Sequence, residues 1–243
     1  MTTAIGSHCY VFAIVPADTP LPRSDDEGPA RGLTLVPAGG LAAVVGWAPA
    51  DRPLGRAADL RAHDRVVADL VATGTPVLPM RFGAVITDPQ AVVDELLLPH
   101  RDRFQEALNT LTGRVQYTVR VQYEEETVLR EVLAGRPDIR RLRDRAAHDR
   151  SAQLQLGELV VHALEQLRPQ DASAILSELI GTVDVRMHEP SAPDEVLHAA
   201  FLVDVSRSAD FEERVTKAAA QRSGRTRFRL IGPSAAYDFL GDA

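Results

Sequence analysis

A chain of 243 residues with 45% hydrophobic side chains is long enough to bury a sizeable core in one large domain or two small ones, which excludes a wholly disordered chain. A formal charge of −7 and 5% aromatic residues lack the electrostatic footprint and stacking platform of a general nucleic-acid binder. Cys9 is the single cysteine, so neither an internal disulfide nor a thiolate-rich metal site is available.

The apolar runs, such as Leu41 to Val45 extended past Gly46 to Trp47 and Ala48, are far short of the roughly 18 residues of a membrane span. The N-terminal stretch has no basic start or cleavage pattern before its short apolar segment, and the expected location is cytosolic.

Cys9 to Val15, rich in β-formers and stopped by Pro16, reads as a buried strand. A polar loop follows from Ala17 to Gly32, with Asp25, Asp26 and Glu27 at its centre. Leu33 to Val36 and Leu41 to Trp47 flank Pro37-Ala38-Gly39-Gly40, whose glycines suit a tight turn, so the pair reads as a hairpin.

From Ala57 to Thr73, Leu60, Val66, Val67, Leu70 and Val71 recur at helical spacing, and Gly74 supplies a stop. Val77 and Leu78 form a short strand. Asp88-Pro89 then opens a helix with aspartate as N-cap and proline at the first position, and Val92, Val93, Leu96 and Leu97 face inward. Phe104, Leu108 and Leu111 mark the next helix. After Gly113 comes the clearest strand, in which Val115, Tyr117, Val119, Val121 and Tyr123 alternate with polar residues.

Residues 124–150 turn charge-rich and helical, which suits a connector between two halves. Leu156 to Leu167 marks a helix that Pro169 is expected to interrupt, and Ile175 to Ile180 marks a second. Thr182 to Met187 and Ala199 to Val205 read as strands, Phe211 to Ala219 as a helix, and Arg225 to Ile231 as a last alternating strand. The expected class is α+β in two domains: a ferredoxin-like mixed sheet with helices over 1–123, the charged connector over 124–150, and an α+β domain of related layout over 151–243.

Catalytic spacing is sparse. The chain has no G-x-G-x-x-G, P-loop, H-E-x-x-H or G-x-S-x-G. Its seven histidines include no i, i+4 pair, so no metal site is expected and no cofactor is implied. His63 lies on or beside the apolar face of its helix, where such a side chain more often satisfies neighbours than reacts. In the stretch "VLPMRFGAV" at 77–85, Pro79, Arg81, Phe82 and Gly83 interrupt a strand-like run. The architectural reading is a corner: Pro79 withholds a donor, Gly83 permits the turn, Phe82 anchors it in the core and Arg81 bonds loop carbonyls. The chemical alternative is a small-molecule regulator or enzyme with a pocket around His63 and Arg81. On the last strand, Arg225, Arg227 and Arg229 share one face, either guarding a sheet edge or docking an acidic partner.

An ordered set of segments resembles the gas vesicle protein F and L family: "YVFAIVPA" at 10–17, "LAAVVGW" at 41–47, Leu60 with His63, "VLPMRFGAV" at 77–85 and "LTGRVQYTVRVQY" at 111–123. The set continues with "AAFLVDVSRSADFEERV" at 199–215 and "RFRLIGPSAAYDFL" at 227–240. The family often ends in an aromatic, proline-rich sequence, whereas Gly232 to Phe239 keeps the frame without the tryptophan and paired prolines. The resemblance implies a non-enzymatic accessory or assembly protein of gas vesicles, with a ferredoxin-like N-terminal part. It also implies partners: the small amphipathic shell protein and other accessory gas vesicle proteins. Candidate contact residues are Arg225, Arg227, Arg229 and Tyr237.

Overall fold

Unbroken burial along Cys9–Pro16 (β1), from Cys9 to Val15, puts this strand at the centre of the first sheet. The computed structural model describes residues 8–23, 28–49, 52–134, 137–181 and 183–240. Asp25, Asp26 and Glu27 of the polar loop lie outside the described residues, as does Thr182. The chain divides into two compact units, Met1–Gln116 with Pro233–Ala243, and Tyr117–Gly232.

In the first unit, β1 pairs antiparallel with Leu41–Trp47 (β3), which pairs antiparallel with Thr34–Ala38 (β2). Ala38 faces Leu41 across a two-residue loop, Gly39 and Gly40, both at positive φ (60° and 86°), the backbone a right-twisted two-residue hairpin requires. Ala57–Ala72 (α1) then returns the chain to Leu78–Pro79 (β4), which pairs with the other side of β1. The strand order β2-β3-β1-β4 is that of a ferredoxin-like sheet whose first crossover helix is reduced to a loop with one 3-10 turn, Gly28–Ala30. One sheet face and α1 enclose Phe12, Val44, Val66, Val67, Leu70 and Val77, each at most 5% exposed. Burial of each such side chain is favourable by about 1.5–3 kcal/mol.

The edge beyond β4 is broken. Met80 N donates to Phe12 O (2.8 Å), residues 81–83 leave the sheet, and Val11 N donates to Ala84 O (2.9 Å) before Val85–Ile86 (β5) rejoins β1. Asp88 caps the following helix by accepting from Ala91 N (2.9 Å), with Pro89 at the first position of Pro89–Ala91 (α2). The helix then widens to a π turn over Val92–Leu97, where Leu98 N reaches Val93 O. The wider turn buries Val92 and Leu97 and leaves Leu96 half-buried. Arg101–Leu111 (α3) buries Phe104, Leu108 and Leu111, the i, i+4, i+7 set that its sequence shows.

The second unit repeats the strand order. Arg114–Tyr123 (β6) leads through Glu125–Ala134 (α4), Pro137–Ala146 (α5) and Arg150–Leu179 (α6) to Asp184–Met187 (β7). Then come Glu195–Asp204 (β8), Ser208–Gln221 (α7) and Thr226–Ser234 (β9). The sheet runs β7-β8-β6-β9, with β7 and β8 antiparallel. Counting from its own first strand this is again second-third-first-fourth, so the second unit has the α+β layout of the first, with most of β6, assigned from sequence to the N-terminal domain, as its first strand, and with the tail from Pro233 in the first unit. Tyr117, Phe201 and Phe211 form its aromatic centre, with ring centroids 5.1 and 5.3 Å apart.

Two elements differ from the sequence reading. Pro169 does not interrupt: α6 runs through it for 30 residues. An interior proline removes one backbone hydrogen bond and costs about 3 kcal/mol. The helix is held on both sides of it, by buried Leu164 before and by Asp171 and buried Ile175 after. β8 begins at Glu195, earlier than the apolar pattern indicates. Glu195 is fully buried, and burial alone would raise its carboxyl. The Ser191 amide and hydroxyl and the Arg120 guanidinium (2.6, 2.9 and 2.7 Å) outweigh that and keep it ionised below its ordinary range. No helix among the described residues is long and apolar enough to cross a membrane.

Candidate functional site

The polar residues of the first unit gather where α1 crosses β1. Asp59, in the first turn of α1, is fully buried and accepts from both terminal nitrogens of Arg52 (2.7 and 2.6 Å) and from the Gly55 and Arg56 amides (3.1 Å each). The Arg52 hydrogen bonds dominate and hold its carboxyl down to about 2 against the opposing effect of burial.

One turn on, His63 is 2% exposed. Its Nδ1 lies 2.9 Å from the Tyr10 hydroxyl and its Nε2 3.1 Å from the Tyr237 hydroxyl. Its ring stacks on Phe12 and meets Tyr10 and Phe82 edge-on. Burial pushes the imidazole below its ordinary value, with the charge of Asp64 opposing, so it is neutral at pH 7. A neutral imidazole has one donor and one acceptor, and the Met80 carbonyl is a further acceptor for its N–H, so at least one of the two phenols donates to it. Burial also raises both phenols, Tyr10 to about 12.

Tyr237 belongs to the C-terminal segment, which is held by further contacts. Gln116, 4% exposed, donates from Nε2 to Asp238 Oδ2 (2.6 Å) and accepts at Oε1 from the Asp238 amide (3.0 Å). Ser234 Oγ donates to the Gln116 carbonyl (3.2 Å), and Ala235 and Ala236 are buried.

The corner at 79–83 is built differently from its sequence reading. Pro79 ends β4, yet pairing continues through the Met80 amide. Gly83 has φ +93°, and a Cβ there would meet nothing within 4 Å, so its backbone angle and not crowding demands glycine. Its amide donates to the Tyr10 hydroxyl (3.2 Å). Phe82 is 36% exposed, on the rim and not in the core. Arg81 is exposed, and its side chain makes no hydrogen bond or ion pair among the described residues.

These residues border a groove of about 610 Å³. Leu78, Leu96, Phe104 and Leu240 contribute apolar floor, while Arg81, Phe82 and Tyr237 stand at its lip. Arg103 and Asp238 also line it, and His63 does not. Acid–base work on a bound molecule would need His63, Arg81 and a carboxylate to converge. Here the imidazole is closed in between two phenols, and the Asp238 carboxylate is held by Gln116. No group of three His, Cys, Asp or Glu side chains fit to hold a metal occurs among the described residues.

The three arginines of the second unit do not form one free strip. Arg225 pairs with Glu131 and Asp171 (2.9 Å each) and lies over the Tyr123 ring, whose hydroxyl donates to Asp171 (2.7 Å). Arg227 is mostly exposed, 3.6 Å from Glu124, and Arg229 is exposed, both on the edge strand β9. The sequence placed Leu96 and Phe104 only as packed helix residues and gave Gln116, Asp238 and Leu240 no role at a site. Their partners lie up to 122 residues away along the chain, and no local spacing signals them. Tyr10, a polar-tipped residue inside an otherwise apolar run, is the one available hint.

The molecule is similar to known proteins over nearly its whole length. It is 34% identical over 240 residues to gas vesicle protein F of Streptomyces sp. (strain CB03234), covering 95% of this chain and 98% of that protein. Gas vesicle protein L of the same strain is also 34% identical, over 96% of this chain and 93% of that protein. The fold is similar to the crystal structure of the gas vesicle protein GvpF from Anabaena sp. PCC7120, with a TM-score of 0.80, 22% identity and coverage of 98% and 99%. That of GvpF from Microcystis aeruginosa gives 0.78 at 20% identity, covering 97% of this chain and 99% of that chain. The family profile of gas vesicle synthesis protein GvpL/GvpF matches residues 8–241, and the chain belongs to that family.

Proposed function

We propose that this protein is a non-enzymatic accessory protein of gas vesicles that binds the shell subunit and other accessory gas vesicle proteins while vesicles are assembled. The family membership supports the setting. The observation that carries the binding role is the open groove of the first unit, apolar at its floor and rimmed by Phe82 and Tyr237, each 36% exposed. Aromatic side chains presented beside an apolar depression are the usual anchors of protein contacts. Arg227 and Arg229, on an edge strand, offer a second surface suited to an acidic accessory partner. Arg225, engaged by Glu131 and Asp171, acts within its own unit.

The direct test is co-expression of the tagged full chain with the shell subunit, followed by capture on the tag. Retention of the subunit, reduced by Phe82→Asp in protein that stays folded, is the expected result. Failure of the wild-type chain to retain the subunit would refute the proposal.

A further inference from the structure

We propose that the groove of the first unit takes an amphipathic segment of the partner protein that sets an acidic side chain against Arg81. This deepens the functional reading above and rests on it, since the partner named there is the shell subunit.

The chain carries a formal charge of −7, yet two arginines, Arg81 and Arg103, line this groove. The carboxylate that also lines it, Asp238, already accepts from Gln116. The Arg81 guanidinium is exposed and makes no hydrogen bond or ion pair among the described residues, so it loses no internal contact by turning to a partner. A purely apolar segment seated on Leu78 and Phe104 would strip water from Arg81 and give nothing back, which is costly for a charge. A carboxylate at that point restores two parallel hydrogen bonds in a geometry that guanidinium fits well. The lip is open at Phe82, Gly83 and Tyr237, all exposed, so a chain segment can enter from the side. The apolar floor and the overall negative charge disfavour a polyphosphate or nucleic acid.

The test uses the full chain co-expressed with the shell subunit. A photo-crosslinking phenylalanine derivative replaces Phe82 in one version and Leu154, an exposed residue of α6, in another. The Phe82 position should crosslink to the shell subunit and the Leu154 position should not. Arg81→Glu should weaken capture of the subunit about tenfold or more at moderate salt, with Arg81→Lys within about threefold of wild type. Thermal melting should be unchanged in both, because Arg81 makes no hydrogen bond or ion pair among the described residues. The inference is overturned if the wild-type chain captures the subunit but Phe82 gives no crosslink, or if Arg81→Glu captures as well as wild type. If wild type captures none, the functional reading itself falls, and this inference with it.

Discussion

Gln116→Ala removes the clamp that holds the C-terminal segment to the first unit. Two hydrogen bonds disappear: a charge-assisted one from Nε2 to the Asp238 carboxylate (2.6 Å) and a neutral one from the Asp238 amide to Oε1 (3.0 Å). Their net contributions are about 1.5–3 and 0.5–1.5 kcal/mol. Asp238 is half-buried, so water recovers part of both, and about 2 kcal/mol is the expected net loss. That shifts the balance between docked and undocked segment by roughly thirtyfold at room temperature. Hydrogen exchange reads the shift directly: amides of 236–240 should exchange roughly thirtyfold faster, while those of β1 and β3 keep their protection. Since Tyr237 and Leu240 line the groove, capture of the shell subunit should fall in parallel. Tyr237→Phe, which leaves His63 Nε2 without its hydroxyl partner, should act in the same direction by about 1–3 kcal/mol. Unchanged exchange over 236–240 in Gln116→Ala would refute the idea that these two bonds hold the segment.

Other outcomes follow from single residues. Asp59 has its carboxyl held at about 2 against an ordinary 3.8, a difference worth about 2 kcal/mol. Because the folded value is depressed, this stability is complete above pH 4 and fades as pH falls toward 2. Asp59→Asn should therefore lower urea stability at pH 7 and flatten its decline in acid, which unfolding curves at both pH values will show. Pro169→Ala should restore a helix hydrogen bond within α6 and raise stability by about 1–3 kcal/mol, read as a higher melting temperature. Gly83→Ala forces an alanine to φ +93° but fills open space, so a loss of about 1–2 kcal/mol is expected by thermal melting. A loss above about 4 kcal/mol would mean the corner is crowded after all.

What the sequence could show depended on whether the cause was local. Alternation along β6 marked Val115, Tyr117, Val119, Val121 and Tyr123, and all five are buried. The same rule put Gln116 on the wet face, where it is 4% exposed, because a segment more than a hundred residues later covers it. Helical spacing in α1 assigned Leu60 to the core, yet it is 44% exposed and its neighbour Asp59 is buried. An aspartate goes inside only with a partner such as Arg52 and two free amides, and a hydropathy pattern has no means of recording that. His63 was legible as a packed side chain, since its position on α1 is periodic. Its two phenols were not, because one lies 53 and the other 174 residues away. Arg225 looked like Arg227 and Arg229 on strand alternation alone. Only the fold brings Glu131 and Asp171 to it.

The proposed role, service to vesicle assembly through what the chain binds, is open to test in the cell. The deciding measurement is vesicle content, counted by electron microscopy in a strain lacking this chain and in the same strain complemented with wild type or Phe82→Asp. Loss or deformity of vesicles without the chain, rescue by wild type and poor rescue by Phe82→Asp are predicted. Vesicles normal in number and shape in the strain without the chain would contradict it.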